Sequence, residues 1–198
     1  MIKDISQIIN NLLSFYDFKN KTIVSVGAGG GQFIWYAKVA KHVIAIDNNK
    51  AALDRLNENI SINGLTDKFT LIHSNFSQAN VKGDVVLFEF CLHEMDNPQR
   101  MLQLAKKVAS QVVIADHGVN SQWAFIADET TKAESSWAQV LKNSTQKLVT
   151  HKAEQYFQNY NQLYEKVKVQ GQNSIDRISE FKECSDIVIP MEYTFALI

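Results

Sequence analysis

Apolar residues recur with a helical period at Ile5, Ile8, Ile9, Leu12, Leu13 and Tyr16, so residues 4–16 are predicted to form an amphipathic helix. The pattern then shortens. Thr22–Val26 is an apolar run of strand length, and a second run from His42 to Ile46 ends at Asp47. Between them lie a glycine cluster and a segment over 33–40 with the composition of a short helix. Ala52, Leu53, Leu56, Ile60 and Ile62 define a further helix over 49–63, closed by Gly64. Phe69–His73 reads as a third strand and 84–90 as a fourth; the near-continuous apolar character of the fourth suits a parallel strand covered on both faces, with Glu89 the exception. Pro98 falls in the first turn of a helix over 98–109, and residues 111–116 make a fifth strand followed by His117. Strands alternating with helices in this way predict an α/β fold, a doubly wound and mostly parallel sheet covered by helices on both faces.

Beyond Gly118 the alternation stops. Residues 121 to about 170 read as a long helical insertion rich in aromatic residues: Trp123, Phe125, Trp137, Tyr156, Phe157, Tyr160 and Tyr164. Two strands are expected near 181–185 and 192–198, separated by a turn around Pro190, so that an antiparallel C-terminal hairpin closes a seven-stranded sheet. The expected organisation is one domain over 1–198: an N-terminal helix over 1–20, a ligand-binding core over 21–118, a helical substrate or lid region over 119–172 and the hairpin over 173–198.

The run from Thr22 to Asp47 carries the clearest chemistry. Gly27, Gly29, Gly30 and Gly31 let the backbone turn sharply and approach a ligand where a Cβ would collide, and Asp47 stands twenty positions after Gly27, where a carboxylate takes both hydroxyls of an adenosine ribose. Two cofactors fit that spacing. A dinucleotide fingerprint would place its third glycine or an alanine at position 32, which is Gln32; the pattern present is G-x-G-x-G, which suits a donor without a phosphate. Tyr164 and Lys168 match the Y-x-x-x-K of nicotinamide-dependent reductases, but the remaining motifs of that class are absent, and the pair reads more simply as neighbours on a helix.

A chain of 198 residues with 45% hydrophobic and 21% charged residues has an ordinary globular composition. No apolar run approaches the ~20 residues of a membrane span, and the N-terminus lacks a signal-peptide pattern, so a cytoplasmic protein without membrane contact is expected. Cys91 and Cys184 make neither a disulfide framework nor a zinc set. A net charge of −1 with mixed signs weighs against a nucleic-acid partner.

With these residues in view, the chain resembles the class I S-adenosylmethionine-dependent methyltransferases of the small, Rossmann-like kind over about residues 22–116. VSVGAGGG matches their first motif, Asp47 their ribose ligand, and FEFCLHEMDNPQRML over 88–102 the stretch after their fourth strand, through Leu92, His93, Asp96 and Pro98. The resemblance implies S-adenosyl-L-methionine as the cofactor, held by Gly27, Ala28, Gly29, Gly31, Asp47, Asn48, Ser74, Asn75, Phe76, Glu89 and Phe90. In it Asn48 flanks the adenine and Asn75 replaces an aspartate that accepts from the adenine amino group. Ser25 stands where an acidic residue is usual, which leaves Glu89 or nearby carbonyls to take the donor's ammonium.

Methyl transfer needs alignment and water exclusion more than a base. Where a proton must leave, His93, Glu94, Asp116 and His117 follow the fourth and fifth strands, and His93 is the expected general base. Glu89 with Asp116 and His117 stands roughly where metal-dependent O-methyltransferases chelate a divalent ion, but histidine does not suit magnesium, and no metal is expected. The expected reaction is methyl transfer to a small-molecule acceptor; the alternatives are a non-catalytic donor-binding module, a metal-dependent O-methyltransferase, a protein or nucleic-acid methyltransferase, or a reductase. The aromatic residues beyond Gly118 are expected to line the acceptor pocket or simply to pack, with Tyr156, Tyr160 and Tyr164 spaced by four on one helix.

Overall fold

The computed structural model describes residues 2–198. Helix α1 (Ile5–Phe15) starts where the Asp4 side chain accepts from the Gln7 backbone N–H and buries Ile8, Ile9, Leu12 and Phe15, the apolar face of the predicted helix. Strand β1 (Thr22–Val26) enters the glycine turn, the 33–40 segment is a 3-10 helix over Ile34–Lys38, and β2 (His42–Asp47) follows. Helix α2 (Lys50–Ile62) is capped by the Asn49 side chain, which accepts from the Ala52 N–H, and ends before Gly64 at a φ of +65°. Strands β3 (Phe69–His73) and β4 (Val85–Glu89) come next, then α3 (Pro98–Val108), which Asn97 caps and Pro98 opens, and β5 (Gln111–His117).

The rest of the chain departs from the sequence-based expectation. After α4 (Gln122–Ile126) and α5 (Thr130–Leu141), residues Lys147–Asn159 form β6, a thirteen-residue strand where a continuous helix was expected. Helices α6 (Tyr160–Val167) and α7 (Gln172–Arg177) then connect β6 to β7 (Ser185–Leu197). The closing hairpin is therefore β6 with β7. Residues 181–185 lie mostly in the connection that precedes β7, and Pro190 is inside β7 rather than in a turn. Pro190 is tolerated because β5 pairs only with residues 193–197 of β7, so at 190 the strand has β6 alone as its neighbour. The helical region expected over 119–172 is thus interrupted by a sheet strand.

The seven strands lie in the order β3-β2-β1-β4-β5-β7-β6, parallel from β3 to β5 and antiparallel through β7 and β6. This is the Rossmann-like, mostly parallel sheet with an antiparallel C-terminal hairpin. β4 is buried throughout, as its apolar run requires. Ile23, Val85, Leu87, Val113 and Phe195 pack toward α1 and α6; Val24, Val86, Phe88, Val112 and Ile114 face α3 and α5. Because β1 pairs with β2 on one side and β4 on the other, the connections diverge there and leave a crevice at the carboxyl ends of the strands. Among the described residues no helix is long and apolar enough to cross a membrane.

Candidate active site

A cavity of about 830 Å³ opens over that crevice. The turn after β1 forms its floor. Gly27 has a φ of +70° and donates its N–H to the Ile46 carbonyl at 3.0 Å; a side chain there would run into Cys91. Gly29, at a φ of +52°, donates its N–H to Asp47 Oδ2 at 2.9 Å, and the Asn49 N–H donates to Asp47 Oδ1 at 2.8 Å. The ribose candidate is thereby held at the end of β2, facing the turn. Asn48 Nδ2 donates to Asn75 Oδ1 at 3.2 Å, joining the two residues expected at the adenine end and leaving a second lone pair on the Asn75 oxygen.

Glu89 lines the cavity and is nonetheless buried. Its Oε1 accepts from Tyr36 OH at 2.5 Å and from Ser25 Oγ. Ser25, the departure from the usual acidic residue, therefore supports a carboxylate from the neighbouring strand. Burial raises the Glu89 carboxyl to about 7 even though both hydroxyls favour its ionised form. A buried carboxylate of this kind is completed by a cation. Tyr36 was missed from the sequence; its signal was a tyrosine in a short apolar segment, since a buried phenol seeks a partner.

Ten of the eleven expected donor contacts line the cavity: Gly27, Ala28, Gly29, Asp47, Asn48, Ser74, Asn75, Phe76, Glu89 and Phe90. Gly31 does not. At a φ of +76° its missing side chain makes room for Leu56 and Asn59 of α2, and Asn59 Nδ2 donates to its carbonyl at 2.7 Å, so it serves the turn rather than the wall. Phe90 sits at a φ of +50°, a strained conformation for a bulky residue, stacked on Phe33 and with its ring against His117. Cys91 donates its thiol to the Val26 carbonyl at 3.1 Å, and burial pushes its pKa well up, so it packs rather than reacts.

His93 lies off the cavity wall, buried with Asp116, His117 and Glu129. Its Nδ1 is 2.5 Å from Asp116 Oδ1 and its backbone N–H donates to Asp116 Oδ2 at 3.1 Å. Burial lowers its pKa, but the Asp116 bond and the Asp116, Glu129 and Glu94 charges outweigh burial and raise it on balance. Burial lowers His117 to about 4, holding it neutral, and raises Glu129. The chelate considered from Glu89, Asp116 and His117 is not assembled, because Glu89 is engaged by Ser25 and Tyr36 while Asp116 supports His93. Of the four candidate bases, Glu94 alone lines the cavity. Lys168 caps α6, its N–H donating to the Tyr164 carbonyl, and pairs with Glu165 at 2.6 Å at the surface; Tyr156 is on β6 while Tyr160 and Tyr164 are on α6, so the three tyrosines do not share one helix.

Residues 17–183 match the family described as a methyltransferase domain. The chain belongs to that family. It is an S-adenosylmethionine-dependent methyltransferase of class I. Among solved structures, the methyltransferase resembles the YcgJ protein from Bacillus subtilis (TM-score 0.72, 10% identity, 97% of each chain). It also resembles a SAM-dependent methyltransferase from Aquifex aeolicus (TM-score 0.57, 15% identity, 98% of each chain). A shorter similarity, 38% identity over 68 residues, links it to the tRNA (guanine(37)-N(1))-methyltransferase Trm5b of Methanocaldococcus jannaschii; it covers 34% of this chain and 20% of that protein. The chain thus spans about a fifth of the length of that curated relative.

Proposed function

We propose that this methyltransferase acts on a small-molecule acceptor by in-line displacement, with its donor lying over the 27–31 turn. The convergence of the glycine turn, Asp47 and buried Glu89 on one cavity carries the donor placement, and the continuation of that same cavity past Cys91 to Met101 supports a small acceptor beside it. Bound there, S-adenosylmethionine supplies a methyl group already activated by its positively charged sulfur. Asp47 takes the ribose hydroxyls, Asn48 and Asn75 frame the adenine, and Glu89 meets the ammonium. Phe90 and Phe33 exclude water beside the reacting end. Glu94, Met95, Asp96, Arg100 and Met101 continue the wall beyond Cys91 and suit a compact polar acceptor. Proton removal, where the acceptor requires it, is assigned to Glu94 instead of the enclosed His93.

Methylation of RNA is the second reading, favoured by the partial similarity to a tRNA methyltransferase. The net charge of −1 speaks against it, since nucleic-acid affinity rests on a basic footprint. Incubation with methyl-labelled donor and a host extract separated into small-molecule and RNA fractions tests the choice. Label in the small-molecule fraction is expected; label confined to RNA would overturn the acceptor reading. With an acceptor that must lose a proton, Glu94→Gln is expected to lower kcat by about 100-fold while leaving product-nucleoside affinity unchanged.

A further inference from the structure

Behind the cavity wall, three segments bring ligand-type side chains together: His93 from the loop after β4, His117 from the end of β5, and Glu129 from the residue preceding α5. All three are buried. Glu129 Oε2 lies 3.7 Å from His93 Nε2 and 3.5 Å from His117 Nε2, and one ligand atom from each residue falls within 4.8 Å of the others. These separations are too long for good hydrogen bonds. They approach the edge of a tetrahedron around a cation bound at about 2.0–2.1 Å, an edge of roughly 3.4 Å. His93 Nε2 is buried without a hydrogen-bond partner, on the side of the ring that faces Glu129.

We propose that His93, His117 and Glu129 form a site for a divalent transition cation of the zinc type. Two imidazoles and one carboxylate favour zinc, cobalt or iron(II) over magnesium, which prefers oxygen. The surrounding contacts are those of a supported metal site. Asp116 Oδ1 holds His93 Nδ1, fixing the tautomer that presents Nε2, and Gln170 Nε2 donates to Glu129 Oε1 at 3.1 Å. Trp137 Nε1 donates to the His117 carbonyl at 2.6 Å and anchors the end of β5. His117 Nδ1 is also buried without a hydrogen-bond partner. The site borders the donor cavity through Phe90, which touches His117, and through Glu94, whose Oε1 is 4.0 Å from His93 Nε2. A cation here ties together the loop after β4, the end of β5 and the start of α5, the three segments behind the acceptor side.

Chelator-stripped protein titrated with Co²⁺, followed by visible d–d absorption and Zn²⁺ competition, tests the site without any assay of turnover. One equivalent per chain is expected, displaced by zinc. Glu129→Gln and His117→Ala should weaken cobalt binding by more than 10-fold, and Asp116→Asn, which removes the charge behind His93, by about 10–100-fold. X-ray absorption of the zinc-loaded wild type should show nitrogen and oxygen neighbours with imidazole scattering. A sulfur shell, no stoichiometric cobalt binding, or equal binding by Glu129→Gln would each overturn the proposal. Thermal shift with S-adenosylhomocysteine in the same samples separates this from the donor-site reading: a shift without cobalt binding removes the metal site alone. The wild-type stoichiometry and absorption data stand even if a variant fails to fold.

Discussion

In the role proposed for it, Glu89 serves binding at the expense of stability. Its folded-state carboxyl, raised to about 7 by burial, holds a proton that the unfolded chain, with an ordinary value of 4.5, has already released between those two values. Its contribution to stability is therefore present below about pH 4.5 and is lost as pH rises through about 7. Without donor, wild-type stability should fall relative to Glu89→Gln between about pH 5 and pH 8, by at most about 3 kcal/mol, in denaturant titrations. On the proposed donor placement binding runs the other way, because an ammonium at Glu89 needs the ionised carboxylate. By calorimetry, S-adenosylhomocysteine affinity should rise toward neutral pH, by as much as about tenfold per pH unit below 7, and level off above; Glu89→Gln should bind weakly with a flat profile. At Gly27 the constraint is steric. Gly27→Ala places a Cβ against Cys91 at a positive φ, so a loss of roughly 2–4 kcal/mol in chemical denaturation is expected, together with loss of donor binding.

The elements divide by how their neighbours are supplied. β1 to β5 and their helices announced themselves because each helix has a single apolar stripe and the central strands are apolar through both faces. β6 did not. Its inward residues, Val149, His151, Ala153, Gln155 and Phe157, are mixed in polarity, and the strand lies at the sheet edge, so its period of two is hidden under polar side chains. The aromatic residues Tyr156, Phe157, Tyr160 and Tyr164 then read as helix although a strand-to-helix junction at Asn159 divides them; Asn159 caps α6 through the Gln162 N–H. Burial along β6 sets a measurable contrast between its two faces. Phe157→Ala, at 1% exposure, should cost about 3–5 kcal/mol, whereas Leu148→Ala, at 46%, should stay within about 0.5 kcal/mol by urea unfolding.

At the scale of the whole molecule, one sheet presents two adjacent chemistries at the carboxyl ends of its strands, the donor cavity between β1, β2 and β4 and the His93, His117 and Glu129 cluster behind its wall. Ligand linkage reports on the first: S-adenosylhomocysteine at 100 times its Kd should stabilise the fold by about 2.7 kcal/mol, seen as a raised Tm, and nicotinamide dinucleotides should leave Tm unchanged. The sequence by itself determined the alternating α/β core, the glycine turn and the Asp47 spacing, because these depend on local periodicity and on chain positions a fixed distance apart. It identified His93 and Asp116 without revealing that they touch, and it left Tyr36 and Glu129 unremarked. Tertiary structure decided those contacts. Ser25, Tyr36 and Glu89 come from three different segments, and Glu129 lies 36 positions from His93, so only the folding of the sheet and its helices brings them within bonding reach and encloses them where charge is no longer screened by water.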